Sequence, residues 1–292
     1  MLIGERLVLP LATPFREDGS LDAAAFAENL ERYREAGVTG FLVAGTTGEG
    51  PHLEAAEILQ LVGMVARGRR GGELVMAGLP AGPPASGRSL LQRVREAGAE
   101  GVLVGTPAYY GRHAGSAGLA AYFRALAEDA GIPLYLYNIP QLTHVVLPVE
   151  VVAELAEHRW IGGMKESSGN LAYLQEVLGR TRDSDFEVVS GAGAVFALSR
   201  PLGIRGGILA VGCVVPELVL EVMRTPLDSP AFAEVQSRLA RLAAIGGDYG
   251  VPGIKWAMEL RGWRGGCCRL PLQSLDEAAR NRIASLLQEC GF

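Results

Sequence analysis

Lysine is almost missing from this chain. Of its 27 basic residues two are lysines, Lys165 and Lys255, and the other 25 are arginines. A codon bias that replaces surface lysine with arginine leaves lysine mainly where arginine cannot serve. Arginine keeps its proton inside a protein, whereas lysine can shed one and become an amine nucleophile. Both lysines therefore call for inspection. Cysteine is sparse too: Cys213, Cys267, Cys268 and Cys290, with no C-x-x-C pair in 292 residues. That excludes a disulfide framework and fits a reducing compartment. No apolar run is long enough to span a bilayer, and no signal-peptide core precedes Asp18. A cytoplasmic protein with no membrane association is expected. The net charge is −5 and no long basic run occurs, so no nucleic-acid partner is expected.

Familiar cofactor signatures are also lacking. His52, His113, His144 and His158 are scattered, without metal-ligand spacing, so no metal is expected. There is no P-loop and no G-x-S-x-G, and Gly191-Ala192-Gly193 is too short for a dinucleotide fingerprint. No cofactor is expected.

What the chain does have is a regular alternation. Short apolar runs at 7–12, 40–44, 74–78, 101–104, 134–138, 161–165, 187–190 and 207–211 read as strands buried on both faces. Amphipathic stretches at 22–36, 53–67, 86–97, 116–130, 148–157, 171–180, 195–202 and 216–224 read as the helices between them. Eight βα units predict an α/β fold of the (β/α)8 TIM-barrel kind over residues 1–225. After the Pro226 region the strands stop. Helical patterns at 231–245, 252–261 and 275–289 predict a small C-terminal α-helical domain over residues 226–292.

In such a barrel the active residues stand at the C-terminal ends of strands. Strand two ends in Gly45-Thr46-Thr47-Gly48-Glu49-Gly50, a turn whose amides and hydroxyls suit a carboxylate. Capping of a glycine-rich turn is the plainer use. Strand four ends in Tyr109-Tyr110, open to loop packing or to proton shuttling. On strand five Tyr135 and Tyr137 share one face, with Tyr137 nearer the end and the better proton carrier. Strand six ends in Gly163-Met164-Lys165-Glu166. A buried lysine is costly unless paired or neutral, and the neutral amine is the form that attacks a carbonyl. Pairing with Glu166, or snorkelling to solvent, is the alternative. Lys255 falls on an amphipathic helix outside the barrel, where packing or capping is expected.

Gly45-Thr46-Thr47-Gly48-Glu49, Tyr137-Asn138-Ile139-Pro140 and Gly163-Met164-Lys165-Glu166, in this order, resemble the dihydrodipicolinate synthase/N-acetylneuraminate lyase superfamily. The likeness runs from Pro10-Leu11-Ala12-Thr13-Pro14-Phe15 to the C-terminal helices. It implies that Lys165 forms an imine with pyruvate and that Tyr137 relays protons. Thr47 and Tyr110 would complete a hydroxyl relay, the second tyrosine reaching in from a neighbouring subunit. Thr46 and Thr47 would hold the pyruvate carboxylate, with Gly191 and Ile208 lining the pocket through backbone atoms. A homotetramer is implied, and small molecules, pyruvate and an aldehyde, are the implied partners.

Where synthases of this superfamily carry an arginine, two residues beyond the strand-five proline, this chain has Leu142, which cannot grip a carboxylate. Thr106-Pro107-Ala108-Tyr109-Tyr110-Gly111-Arg112, Gly250-Val251-Pro252-Gly253-Ile254-Lys255 and Gly265-Gly266-Cys267-Cys268-Arg269-Leu270-Pro271-Leu272 look like the 4-hydroxy-2-oxoglutarate aldolases. Thr47 departs from them, since they often carry asparagine there. The resemblance implies a class I lyase that cleaves 4-hydroxy-2-oxoglutarate or a similar 2-oxo acid. The alternatives are a dihydrodipicolinate synthase, a 2-keto-3-deoxy sugar-acid aldolase and a ligand-binding barrel without turnover.

Overall fold

Near-continuous apolar runs cannot leave either face to water, and they form strands covered on both sides. A computed structural model describes residues 2–292 and gives seven parallel strands paired in chain order. Met1, the first residue of the expected barrel unit, and the side chain of Arg112 in the Thr106 motif lie outside the described residues. The strands are β1 (Val8–Pro10), β2 (Gly40–Val43), β3 (Leu74–Leu79), β4 (Gly101–Gly105), β5 (Leu134–Asn138), β6 (Ile161–Glu166) and β7 (Glu187–Ser190). Helices follow them: α1 (Ala23–Glu35), α2 (Ala55–Arg67), α3 (Pro84–Glu96), α4 (Gly111–Ala127), α5 (Pro140–Thr143), α6 (Val149–Ala156), α7 (Leu171–Thr181), α8 (Phe196–Ser199) and α9 (Pro216–Arg224). The chain ends in α10 (Phe232–Leu260) and α11 (Glu277–Glu289). Asp22 caps α1 by accepting from the Ala25 amide, and Pro216 opens α9.

The expected eighth strand, over residues 207–211, is not a strand. Gly207 makes single parallel bridges, one to Ser190 and one to Leu7. The Val8 amide donates to the Gly207 carbonyl at 2.9 Å, and the Ile208 amide to Ser190 at 2.8 Å. The chain then coils into a 3-10 turn over Ala210–Cys213, which ends the pairing. The two edges of the curled sheet are thus bridged at one residue. The approach is so close that a Cβ on Gly206 would stand 2.4 Å from the Gly4 carbonyl.

Other departures have local causes. The helix expected over 195–202 is cut to α8 flanked by 3-10 turns, because Pro201 has no amide to continue it. The helices expected at 231–245 and 252–261 are two arms of α10, broken at Gly250 (φ 60°) with Pro252 opening the second arm. A similar break at Gly115 (φ 60°) divides α4 next to its expected start. Among the described residues no helix is long and apolar enough to cross a membrane.

The main apolar core lies between sheet and helices and continues into Leu239, Leu242, Ile254 and Met258 of α10. A smaller cluster fills the inside of the curl, with Val8, Leu42, Met76, Leu103, Tyr135 and Ile208. Each such side chain contributes about 1.5–3 kcal/mol of hydrophobic stabilisation. At the N-terminal end of the strands, Tyr135 donates its hydroxyl to Glu187, which also accepts from the Ile3 and Gly4 amides at 3.0 and 2.6 Å. That end is closed by side chains.

Candidate active site

Strand alternation decides what faces inward. On β6, Met164 and Glu166 turn away from the curl while Lys165 turns into it, in register with Tyr137 on β5 and Val189 on β7. Lys165 is 5% exposed. Its Nζ donates to the Tyr137 hydroxyl at 3.1 Å and lies 4.3 Å from the centre of that ring. The Thr46 hydroxyl approaches the same phenol oxygen at 3.5 Å. An amine, a phenol and an alcohol thus meet at the open end of the sheet, contributed by β6, β5 and the turn after β2.

Lys165 is not neutralised by its neighbour. The Glu166 carboxylate accepts from Asn138 Nδ2 at 3.3 Å, from the Ser168 amide at 2.8 Å and from the Ser168 hydroxyl. Burial holds its carboxyl above the usual range. Cys213, also buried, donates to the Pro10 carbonyl. Burial pushes that thiol up to about 12, so it offers no competing thiolate.

The turn after β2 is tightly drawn. Ala44 and Glu49 both have left-handed backbone, at φ 56° and 55°. A Cβ on Gly50 would stand 2.0 Å from the Ala44 carbonyl. The amides of Gly48 and Gly50 both donate to the Gly45 carbonyl, and that of Glu49 to Thr46. These amides are consumed inside the turn. The Thr46 hydroxyl, rather than one of these amides, is the donor that the turn brings to Tyr137.

The remaining expected residues divide into two groups. Thr47, which the resemblance implies for the relay, is buried beside Thr46, but the hydroxyl brought to Tyr137 is that of Thr46. Gly191 lies against the lysine: a Cβ there would stand 2.5 Å from Lys165 Cε, so only glycine leaves room for the amine. Ile208 is fully buried in the inner cluster with Tyr137. Tyr110 is not brought in. It is 72% exposed and packs edge-on against Tyr109 at 4.8 Å, and no hydrogen bond joins it to Tyr137. Leu142 is exposed on α5.

Sequence reasoning missed a pair behind the turn. Glu49 is buried, and its Oε1 accepts from Lys255 Nζ at 2.6 Å. The expected packing role for Lys255 is in fact a buried ion pair reaching from α10 to the turn. The scarcity of lysine was the available signal, together with the acid quoted in the turn motif. Among the described residues no group of three or more His, Cys, Asp or Glu side chains is placed to hold a metal ion.

The sequence profile described as the Dihydrodipicolinate synthetase family matches residues 4–290. A 4-hydroxy-tetrahydrodipicolinate synthase of Methanosarcina mazei is 32% identical over 284 residues, covering 96% of each chain. One of Methanococcoides burtonii is 33% identical over 288 residues, covering 97% of this chain and 98% of its own. Among solved structures, a prophage protein of the dihydrodipicolinic acid synthase family from E. coli, in complex with pyruvate, superposes with a TM-score of 0.92. It has 26% identity and covers 99% of both chains.

Proposed function

The chain belongs to the dihydrodipicolinate synthetase family and is a lyase of that family, and from that premise we propose that it handles a pyruvate unit through an imine on Lys165. The observation that carries this is the buried Lys165 amine, 3.1 Å from the Tyr137 hydroxyl and free of Glu166. We read the bridged sheet as a closed (β/α)8 barrel over residues 1–225, with residues 226–292 as its C-terminal helical unit.

In the cleavage direction the amine adds to the ketone of a 2-oxo acid and water leaves, giving an iminium. Tyr137 gives its proton to the hydroxyl that leaves as water, and the phenolate so formed takes the proton of the 4-hydroxyl; the bond between carbons 3 and 4 breaks, and its electron pair passes to the iminium as an enamine. An aldehyde departs. Protonation at carbon 3 and hydrolysis release pyruvate and restore the amine. Thr46 and Thr47 hold the carboxylate, which fixes the reacting geometry. Gly191 and Ile208 wall the pocket. Tyr110, exposed at the mouth, suits a role across a subunit contact, and a homotetramer is the form we assign.

For the aldehyde half, Leu142 lacks the arginine grip of the synthases, and the likeness of the motifs at 106–112, 250–255 and 265–272 to the 4-hydroxy-2-oxoglutarate aldolases supports cleavage of that acid or a similar one. Condensation of pyruvate with aspartate semialdehyde is the second reading, favoured by the names of the Methanosarcina and Methanococcoides relatives. Incubation with pyruvate and borohydride should add mass to the peptide bearing Lys165; reversible binding without an adduct points to a barrel without turnover. Coupled assays of pyruvate release from 4-hydroxy-2-oxoglutarate and keto-deoxy sugar acids then select the substrate. Activity seen only in condensation with the semialdehyde replaces the cleavage reading.

A further inference from the structure

We propose that Lys255 and Glu49 are positioning residues, which with Arg269 hold the Thr46-Thr47 turn at the working distance from Tyr137. The proposal rests on the imine reading above and adds the C-terminal helical segment to the catalytic apparatus.

Glu49 is a non-glycine residue in left-handed backbone, three positions after Thr46. Such a conformation persists only where the surroundings over-determine it. Its carboxylate is fully buried and held from outside the turn. Lys255 Nζ donates to Oε1 at 2.6 Å, the Arg269 amide donates to Oε2 at 2.9 Å, and His52 Nδ1 stands 3.5 Å from Oε2. Lys255 Nζ also donates to the Cys267 carbonyl at 2.6 Å and lies 4.7 Å from the centre of the Phe15 ring. The Arg269 guanidinium lies 4.1 Å from the centre of the same ring and reaches Glu57, the His52 carbonyl and the Gly19 carbonyl.

Stability alone does not account for this arrangement. A buried ion pair can often be exchanged for apolar side chains without loss of stability, so what it specifies is geometry. The turn's own hydrogen bonds fix its internal shape but not its placement relative to β5. Thr13, whose hydroxyl donates to the Gly48 carbonyl at 2.7 Å, tethers one side of the turn, and α10 with the segment after it holds the Glu49 side. The Thr46 hydroxyl sits 3.5 Å from the Tyr137 oxygen, at the outer limit of a hydrogen bond, so a small drift breaks the contact.

The test is borohydride trapping titrated with pyruvate and read by mass spectrometry, alongside thermal unfolding. The chains compared are wild type, Glu49→Met, Lys255→Met and the double variant, each also with Thr46→Val. Either single change leaves a buried polar partner unmatched and should lower Tm. The double variant should regain most of that Tm, yet its half-saturating pyruvate should stay raised about tenfold, as a misplaced contact group requires. Adding Thr46→Val to it should cost little more. A double variant with wild-type half-saturation overturns the proposal, as does a Thr46→Val effect that multiplies in full. If the double variant does not fold, Glu57→Gln on the Arg269 arm takes its place: half-saturation should rise a few-fold, and an unchanged value is equally fatal. A wild-type chain that traps no pyruvate sinks the imine reading and this inference together. Trapping by wild type and double variant alike sinks the inference alone.

Discussion

Tyr135 and Tyr137 leave the same strand on the same side, two residues apart, and finish in opposite surroundings. Tyr135 donates a hydrogen bond to the Glu187 carboxylate at the end of the sheet where Ile3 and Gly4 also close in. Burial, reinforced by the charge of Glu187, raises its hydroxyl far above the usual phenol range. Tyr137 instead meets an amine and an alcohol at the open end. Residue type, strand and burial barely differ between the two. The partner differs: a carboxylate fixes a phenol as a permanent donor, whereas an amine and an alcohol leave it able to give or accept. One end of the sheet is fastened and the other is equipped to react.

The contrast can be broken by mutation, beginning with the largest effect. Lys165→Arg keeps the charge and loses the nucleophile, so turnover and borohydride trapping should both vanish while the circular dichroism spectrum stays normal. Trapping retained in that variant would move the chemistry to another residue. Tyr137→Phe should slow turnover by about 10²-fold or more with the adduct still forming, as loss of a general acid–base group requires. Tyr135→Phe should do the reverse. Losing a hydrogen bond to a charged group costs about 1.5–3 kcal/mol, read from denaturant unfolding, with turnover close to normal. Should Tyr135→Phe abolish activity at unchanged stability, the two ends would not divide the labour as described.

The smallest effect concerns pH. At the open end the Arg269 guanidinium, hydrogen-bonded to Glu57, holds that carboxyl below its ordinary value of 4.5. The stabilisation from this pair is therefore complete above the unfolded value and is lost as pH falls through the lower folded one. Glu57→Gln should cost about 1 kcal/mol or less near neutral pH, since the pair is partly exposed. It should cost nothing further in acid. Unfolding curves at two pH values check this, and a penalty that persists in acid would rule the ion pair out as its source.

Much of the fold was legible because it follows from local pattern. The runs at 134–138 and 187–190 fell on β5 and β7 at both ends, and α9 on its expected span. Lys165 stood out through its rarity and its place at a strand end. What was not legible depends on approach between distant parts. The run at 207–211 read as a strand, yet pairing is confined to Gly207 because the chain coils into a 3-10 turn from Ala210. Whether Thr46 or Thr47 faces Tyr137 depends on the left-handed residues Ala44 and Glu49, which carry no glycine to announce them. The Lys255 contact joins residues 206 positions apart, beyond any periodicity.

Burial of both lysines has a practical use. An amine-reactive dye offered to the folded chain finds no lysine side chain at the surface, since the two lie 5% and 2% exposed. Dye uptake at Lys165 then reports the mouth of the sheet breathing open, and uptake at Lys255 reports the C-terminal helices lifting away. The two labelled peptides differ in mass. One time course of labelling would time both openings separately, with no engineered probe.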